Sequence, residues 1–391
     1  MRKICLITTS RADYGIQSNL IKLLQNDSEI DFSLIVSGSH MSKKHGETYR
    51  EIENDGIKIA KKIDIGMDDE CDLYVEHVFA NAVLRFSAVL REISPDIVVL
   101  LGDRYEMLAA AFACCLNNIP IAHLHGGETT EGATDEAFRH SITKMAHLHF
   151  TSCKTYRNRV IQLGEDPERV FNVGAMGVEN ALNVPTLSKE ELEKNLGIKF
   201  LKRNLLVTFH PVTLEKGRAE NQIDQLLAAL SELKDTMIVF THPNADAEGD
   251  IIAEKIKDFI KSENGRYLFA SLGMKRYFSM IKQVDAVVGN SSSGIAEVPS
   301  FKKATINIGN RQAGRIQAKS IINCLPEKTD VLKAIATVYT QDFQTVLKSA
   351  KNPYAKENSA RNVFNVLKTF DLTGLLEKKF YDLSEEKKCT P

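Results

Sequence analysis

The amino-acid sequence predicts an α/β protein made of two successive doubly wound parallel sheets. Three observations lead there. Short apolar, β-rich runs alternate with longer amphipathic segments, the pattern of βα units. The pattern restarts after Asn183-Val184-Pro185. A length of 391 residues also exceeds what one ordinary core accommodates and suggests about two domains.

The chain opens Met-Arg-Lys-Ile-Cys-Leu-Ile-Thr-Thr, a basic start on an apolar run too short for a signal peptide or a membrane span. It reads as a first buried strand at 4–8. Further strands are predicted at 32–36, 57–63, 97–101, 119–123, 148–151 and 170–173, with helices at 14–24, 73–93, 104–116 and 135–146. The second series places strands at 205–209, 237–241, 267–269, 286–288 and 305–308. Residues 330–376 are helix-rich, precede a charged tail, and are expected to cross back over the first half. The expected organisation is a Rossmann-like domain at 1–183, a second at 184–365, a C-terminal helical segment at 366–391 packing back, and a central cleft.

Composition narrows the function. The hydrophobic fraction of 43% and charged fraction of 26% are those of an ordinary soluble enzyme. With 50 Lys and Arg against 51 Asp and Glu, no global field recruits nucleic acid or an anionic membrane. Any anion site must be local. Seven cysteines, odd in number and without paired metal spacing, fit reduced thiols and a cytoplasmic location.

Ligands of doubly wound sheets bind beyond the carboxyl ends of strands, so residues just after strands are the candidates. The segment Gly289-Asn290-Ser291-Ser292-Ser293-Gly294-Ile295-Ala296-Glu297 follows a buried strand and opens a helix. Unpaired N–H groups, the hydroxyls of Ser291 and Ser292 and a positive dipole end suit a phosphate, and Glu297 is placed to chelate a ribose diol. Taken alone, such a start is more often a plain N-cap. After the first strand, Arg11 offers a guanidinium fork to a phosphate. Leu101-Gly102-Asp103-Arg104 ends a doubly buried run, where Asp103 is partly desolvated and suited to acid–base work as well as to capping a helix. His125-Gly126-Gly127-Glu128 and Asp135 add three titratable groups to the same inter-strand region. His-x-His with distant acids is a weak metal signature, so acid–base chemistry is preferred. His147 and His149 alternate on an apolar stretch and read as structural. In the second half His210, Asn244 and Arg311 follow strands and complete a phosphate-and-ribose set. No Walker A or Gly-x-Gly-x-x-Gly sequence is present. A sugar nucleotide fits this inventory best.

The motifs Ser-Arg-Ala-Asp-Tyr-Gly at 10–15, Leu-Gly-Asp-Arg-Tyr-Glu at 101–106, His-Gly-Gly-Glu at 125–128 and Asp-Glu-Ala-Phe-Arg-His-Ser-Ile-Thr-Lys at 135–144 resemble those of the UDP-N-acetylglucosamine 2-epimerase family. So do Phe-His-Pro-Val-Thr at 209–213, Gly-Asn-Ser-Ser-Ser-Gly at 289–294 and Ile-Gly-Asn-Arg-Gln at 308–312, and the resemblance runs in order from about residue 3 to about 370. It is nearest to the hydrolysing branch of bacterial sialic-acid synthesis. What it implies is a glycosyltransferase-B type of fold and elimination of UDP from a UDP-linked 2-acetamido sugar. Hydration of the resulting 2-acetamidoglucal then yields UDP and free N-acetylmannosamine. Asp103 and Asp135 match acid–base carboxylates of the family. Arg11, Arg104, His210, Asn244, Ser291, Ser292, Glu297 and Arg311 match its nucleotide-binding residues. Many relatives carry a catalytic Glu where this chain has His125, so either His125 substitutes or Glu128 takes over. The stretch Thr129-Thr130-Glu131-Gly132-Ala133 is placed to reshape the sugar pocket, which admits UDP-N,N'-diacetylbacillosamine as an alternative substrate. Cations stabilising the departing UDP make a metal or other cofactor unnecessary. A homodimer or homotetramer is the family expectation.

Overall fold

The structure, a computed structural model, describes residues 1–131, 134–212, 215, 217–243 and 248–383. It contains two parallel sheets and divides into two compact units. The first unit gathers Met1–Glu128, Thr134–Glu179 and Lys356–Pro391. The second gathers Asn180–Ala355 together with the short segment Thr129–Ala133.

In the first unit the strands are β1 (Arg2–Thr8), β2 (Ile30–Val36), β3 (Lys61–Lys62), β4 (Ile97–Leu101), β5 (Ile121–Leu124), β6 (Leu148–Thr151) and β7 (Val170–Asn172). Their order is β3-β2-β1-β4-β5-β6-β7. The helices are α1 (Arg11–Gln25), α2 (Tyr49–Asn54), α3 (Tyr74–Ile93), α4 (Tyr105–Leu116), α5 (Asp135–Met145) and α6 (Lys154–Gln162), and α7 (Met176–Asn183) spans the point where the units divide. Successive residues of one strand enter different cores, as the two-residue period requires. Leu6, Leu34 and Val99 pack with Leu20 and Leu24 of α1, whereas Ile7, Ile35, Val98 and Leu100 pack with Phe86 of α3 and Met107 of α4. Burial on both faces is why these strands read as unbroken apolar runs.

The expected strand at 57–63 contracts to the two residues of β3. Ile57 joins one core and Ile63 the other, so the apolar signal came from anchors flanking a short edge strand. The chain re-enters the first unit at Lys356. Ala360, Val363, Phe364 and Leu367 recur at helical spacing and belong to the core shared with α1.

In the second unit the strands are β8 (Arg203–Thr208), β9 (Thr236–Thr241), β10 (Arg266–Phe269), β11 (Ala286–Gly289), β12 (Ala304–Ile308) and β13 (Ile321–Cys324), ordered β10-β9-β8-β11-β12-β13. The helices α8 (Lys189–Leu196), α9 (Ala219–Leu230), α10 (Gly249–Lys261), α11 (Gly273–Gln283), α12 (Ser292–Ala296), α13 (Lys328–Val338) and α14 (Gln341–Ser349) lie along its chain, and α15 (Ser359–Thr369) follows in the first unit. β13 was not expected from sequence. It is an edge strand of intermediate burial, and only half of it is aliphatic.

In each sheet the strand order reverses between the first strand in the chain and the fourth, at β1/β4 and at β8/β11. Such switch points open a crevice at the carboxyl ends of strands. Arg11 and Asp103 follow the strands that flank the first switch point. His210 and Ser291 follow those that flank the second.

Candidate functional site

In the first unit, β4 ends at Leu101, and after Gly102 come Asp103 and then Arg104, in extended conformation at the N-cap of α4. Asp103 therefore does not cap that helix. Its carboxylate instead takes a short ion pair from Arg139 Nη2, which lies on α5 and is 3% exposed. Arg139 Nη1 stands 3.6 Å from Glu128 Oε2, and Ser152 Oγ donates to Glu128 Oε1 at 2.6 Å. His125 Nδ1 lies 3.1 Å from the same Glu128 oxygen. One guanidinium thus spans two carboxylates, and one of those carboxylates holds an imidazole.

This contact orients His125. Facing Arg139 and accepting from Ser152, the Glu128 carboxylate acts as acceptor towards His125 Nδ1–H, which leaves Nε2 as the lone-pair nitrogen of the neutral ring. Nε2 is buried and has no hydrogen-bond partner among the described residues. Backbone conformation supports the placement, for His125 has φ +65° and its N–H is held by Phe150 O at 2.8 Å. A non-glycine residue in that region marks a constraint imposed from outside the residue.

Asp135 opens α5, with Arg139 one turn on and Thr143 a further turn on, which puts all three on one helix face. Burial first, and then the Asp103 charge, raise the Asp135 carboxyl from its ordinary 3.8 to about 6. Arg104 opposes burial through Glu106 and Asp13, which keep its guanidinium above its usual value. It donates to Glu106 by Nε at 3.2 Å and Nη2 at 2.9 Å. Beneath this cluster His123 is fully buried, its Nδ1 3.1 Å from Thr143 Oγ1 and its Nε2 2.8 Å from Gly102 O, and burial lowers it to about 3. It is a neutral spacer between β4 and α5. Arg11 pairs at 3.0 Å with Glu51, both side chains about half-exposed.

In the second unit the organising residue is Asn290, which is 1% exposed. Its Oδ1 accepts from His210 N and its Nδ2 donates to His210 O, both at 2.8 Å. Its carbonyl accepts from Arg311 Nη1 at 3.2 Å and from Gln312 Nε2 at 2.9 Å. One amide residue therefore joins the loops after β8, β11 and β12. Gly289 permits this with φ +130°, for a Cβ there would stand 1.9 Å from Thr208 O. Ser291 caps α12, accepting from Ser293 N at 3.4 Å. That helix has five residues, so its dipole is slight and its offer to an anion is hydroxyls and N–H groups. Glu297 ends it, half-buried. His210 is lowered to about 3, by burial first and then by Arg311. Its ring is therefore held neutral and can donate to a ligand from one nitrogen only. Asn244 lies outside the described residues.

Arg139, Ser152 and Asn290 were not among the residues singled out from sequence. For Arg139 a signal existed, since it lies four residues after Asp135 in a helix. His147 and His149 are core residues, as their apolar setting implied. His147 Nδ1 accepts from Ile121 N at 3.2 Å, and His149 is bound to Glu165. Among the described residues no group of three or more His, Cys, Asp or Glu is arranged to hold a metal ion. No helix there is long and apolar enough to cross a membrane.

Two parallel sheets of nucleotide-binding order, one with acid–base groups at its switch point and one with neutral His, Ser and Arg donors at its own, define an α/β protein of the glycosyltransferase-B type. The chain belongs to the UDP-N-acetylglucosamine 2-epimerase family, whose model matches residues 22–368. It is 42% identical to polysialic acid biosynthesis protein P7 of Escherichia coli, over 100% of this chain and 99% of that one. It is 41% identical to the GDP/UDP-N,N'-diacetylbacillosamine 2-epimerase (hydrolyzing) of Campylobacter jejuni, over 98% and 99%. In fold it is similar to the UDP-GlcNAc 2-epimerase of Neisseria meningitidis bound to UDP-GlcNAc, with TM-score 0.81 at 15% identity, covering 93% of this chain and 99% of that one.

Proposed function

We propose that the protein is a hydrolysing UDP-N-acetylglucosamine 2-epimerase, converting UDP-N-acetylglucosamine and water to N-acetylmannosamine and UDP in the cytoplasm. The observation that carries this reading is the Glu128–His125 pair, which leaves His125 Nε2 buried with no hydrogen-bond partner among the described residues. A base awaiting a C–H proton has that character. His125 Nε2 removes the C2 proton as the C1–O bond to UDP breaks, giving the 2-acetamidoglucal. Arg311, His210 and the hydroxyls of Ser291 and Ser292, with Arg11, Arg104 and Asn244, receive the charge that develops on the departing UDP. Water then adds its hydroxyl to C1, and a proton reaches C2 on the opposite face. Asp135, raised to about 6, is the carboxyl best able to hold that proton near neutrality, while Asp103, paired with Arg139, stands beside it.

NMR with UDP-N-acetylglucosamine in D₂O tests the reading. Release of UDP with deuterium at C2 of a manno-configured free sugar supports it, and intact UDP-sugar sinks it. A UDP-linked manno sugar would indicate the non-hydrolysing reaction instead.

A second substrate reading has specific support. The Campylobacter jejuni relative is named for diacetylbacillosamine, and residues 129–131, next to Glu128, are held by the loop after β12, with Glu131 N donating to Ala313 O at 3.3 Å and Arg315 to Thr130 at 3.3 Å. The same assay with UDP-N,N'-diacetylbacillosamine chooses between the two sugars. For assembly we infer a homodimer through α3 and α4, where Val75, Leu84, Phe112 and Leu116 are exposed. Sedimentation that returns a monomer for the wild type, or a dimer unchanged by Leu116→Glu, would reject that face.

A further inference from the structure

We propose that Lys378, at the far end of the chain, is a positioning residue that holds α5 in register for the reaction, an inference that rests on the function proposed above. Lys378 Nζ donates to Lys144 O at 2.6 Å and to Ala146 O at 2.7 Å. These are carbonyls of the last turn of α5 and of its C-cap, groups a helix leaves without internal partners. An ammonium at that end also complements the helix dipole. Its third contact is Glu165 Oε2 at 2.7 Å.

Glu165 is the centre of the brace. It is 2% exposed, with Lys144 Nζ on Oε1 at 2.6 Å and His149 Nε2 on Oε2 at 2.9 Å. Burial alone would raise its carboxyl, but His149, Lys144 and Lys378 together pull it down to about 2, so it stays charged. The tail around Lys378 is itself located. Tyr381 N donates to Gly164 O at 2.9 Å, and the Phe380 ring lies 4.9 Å from Lys144 Nζ. Gly164 has φ +89°, and a Cβ on it would stand 2.5 Å from that ring.

What the brace holds is the helix of Asp135, Arg139 and Thr143. Those residues repeat every four positions along one face, so a slide or rotation of α5 moves all of them together. Thr143 meets His123 at 3.1 Å and Arg139 spans Asp103 and Glu128, while at the C-terminal end of α5 Ile142, Met145 and Ala146 pack in the core and the polar contacts come from Lys378 and Glu165. Lys378 touches no reacting group in this scheme and acts through α5 alone.

The test compares Lys378→Met, which removes the charge and the donors, with Lys378→Arg, which keeps a cation of similar reach. The Met variant is expected to lose roughly ten- to hundredfold in kcat, the scale of a displacement of order 1 Å, with affinity for UDP changed less than about twofold. Amide hydrogen exchange across residues 135–145 should quicken, and Lys378→Arg should recover most of both losses. If Lys378→Met does not fold, Phe380→Ala is read the same way for a smaller loss. A folded Met variant with wild-type kcat and unchanged exchange in α5 overturns the proposal. So does a parallel loss of kcat and UDP affinity that Lys378→Arg fails to recover. A wild-type protein that releases no UDP would defeat the reaction instead, and the exchange comparison would still decide the brace.

Discussion

Asp135 illustrates how one residue trades stability for chemistry. Its carboxyl is raised from 3.8 to about 6, so the folded protein favours the protonated form. The stability this contributes is fully present below about pH 4 and is lost as pH rises through about 6. Asp135→Asn should therefore melt roughly 2–4 °C above the wild type at pH 7.5, and the gap should close by pH 4. The same variant should lose turnover. Equal melting temperatures at pH 7.5 would remove the argument for a strained carboxyl. Glu128→Gln tests the neighbouring pair. Without a carboxylate to orient His125, kcat should fall by about 10²-fold or more, with UDP binding by calorimetry unchanged. Asp103 was legible from the sequence because a doubly buried strand stops at it. Arg139 and Ser152 were harder, since their partners stand 36 and 24 residues away in the chain. Local spacing carries no trace of such a pairing.

At the scale of elements, the loops after β8, β11 and β12 behave as one piece because Asn290 bonds to all of them. Asn290→Ala leaves His210 N–H and C=O without their partner and should cost about 1–3 kcal/mol in denaturant unfolding. UDP affinity should fall more than tenfold, although Asn290 need not touch UDP. Gly289→Ala is a harsher test. A Cβ 1.9 Å from Thr208 O forces β8 and β11 apart, and a loss upwards of about 3 kcal/mol is expected. Long central strands and the amphipathic helices α3 and α5 were readable from periodicity. The edge strands β3 and β13 were not. β3 keeps two lysines between buried isoleucines, and β13 follows a turn rich in Gly, Arg and Gln, so neither carries a two-residue apolar alternation.

For the whole molecule, the two-sheet plan followed from the restart of the βα pattern, but the division of the chain did not. The helix-rich stretch at 330–376 was expected to cross back, but no local spacing says that Ala360, Val363, Phe364, Leu367 and Leu375 are the residues that complete the core of the first unit. A chain ending at residue 355 should accordingly keep the second unit folded and leave the first loosely packed. Limited proteolysis should then cut within residues 1–179 and spare 180–355; equal resistance of both would contradict this assignment.

That core has a consequence for synthesis. The second unit is, apart from one short segment, a contiguous stretch, whereas the first must wait for residues made at the end of translation. At about 5–20 residues per second, β1 to β7 emerge from the ribosome roughly 10–40 s before α15 arrives to cover them. During that interval the face of the sheet destined for α15 is exposed apolar surface. The later unit of the chain is thus free to fold first, and the half carrying Asp103, His125 and Asp135 is the half whose core is completed last.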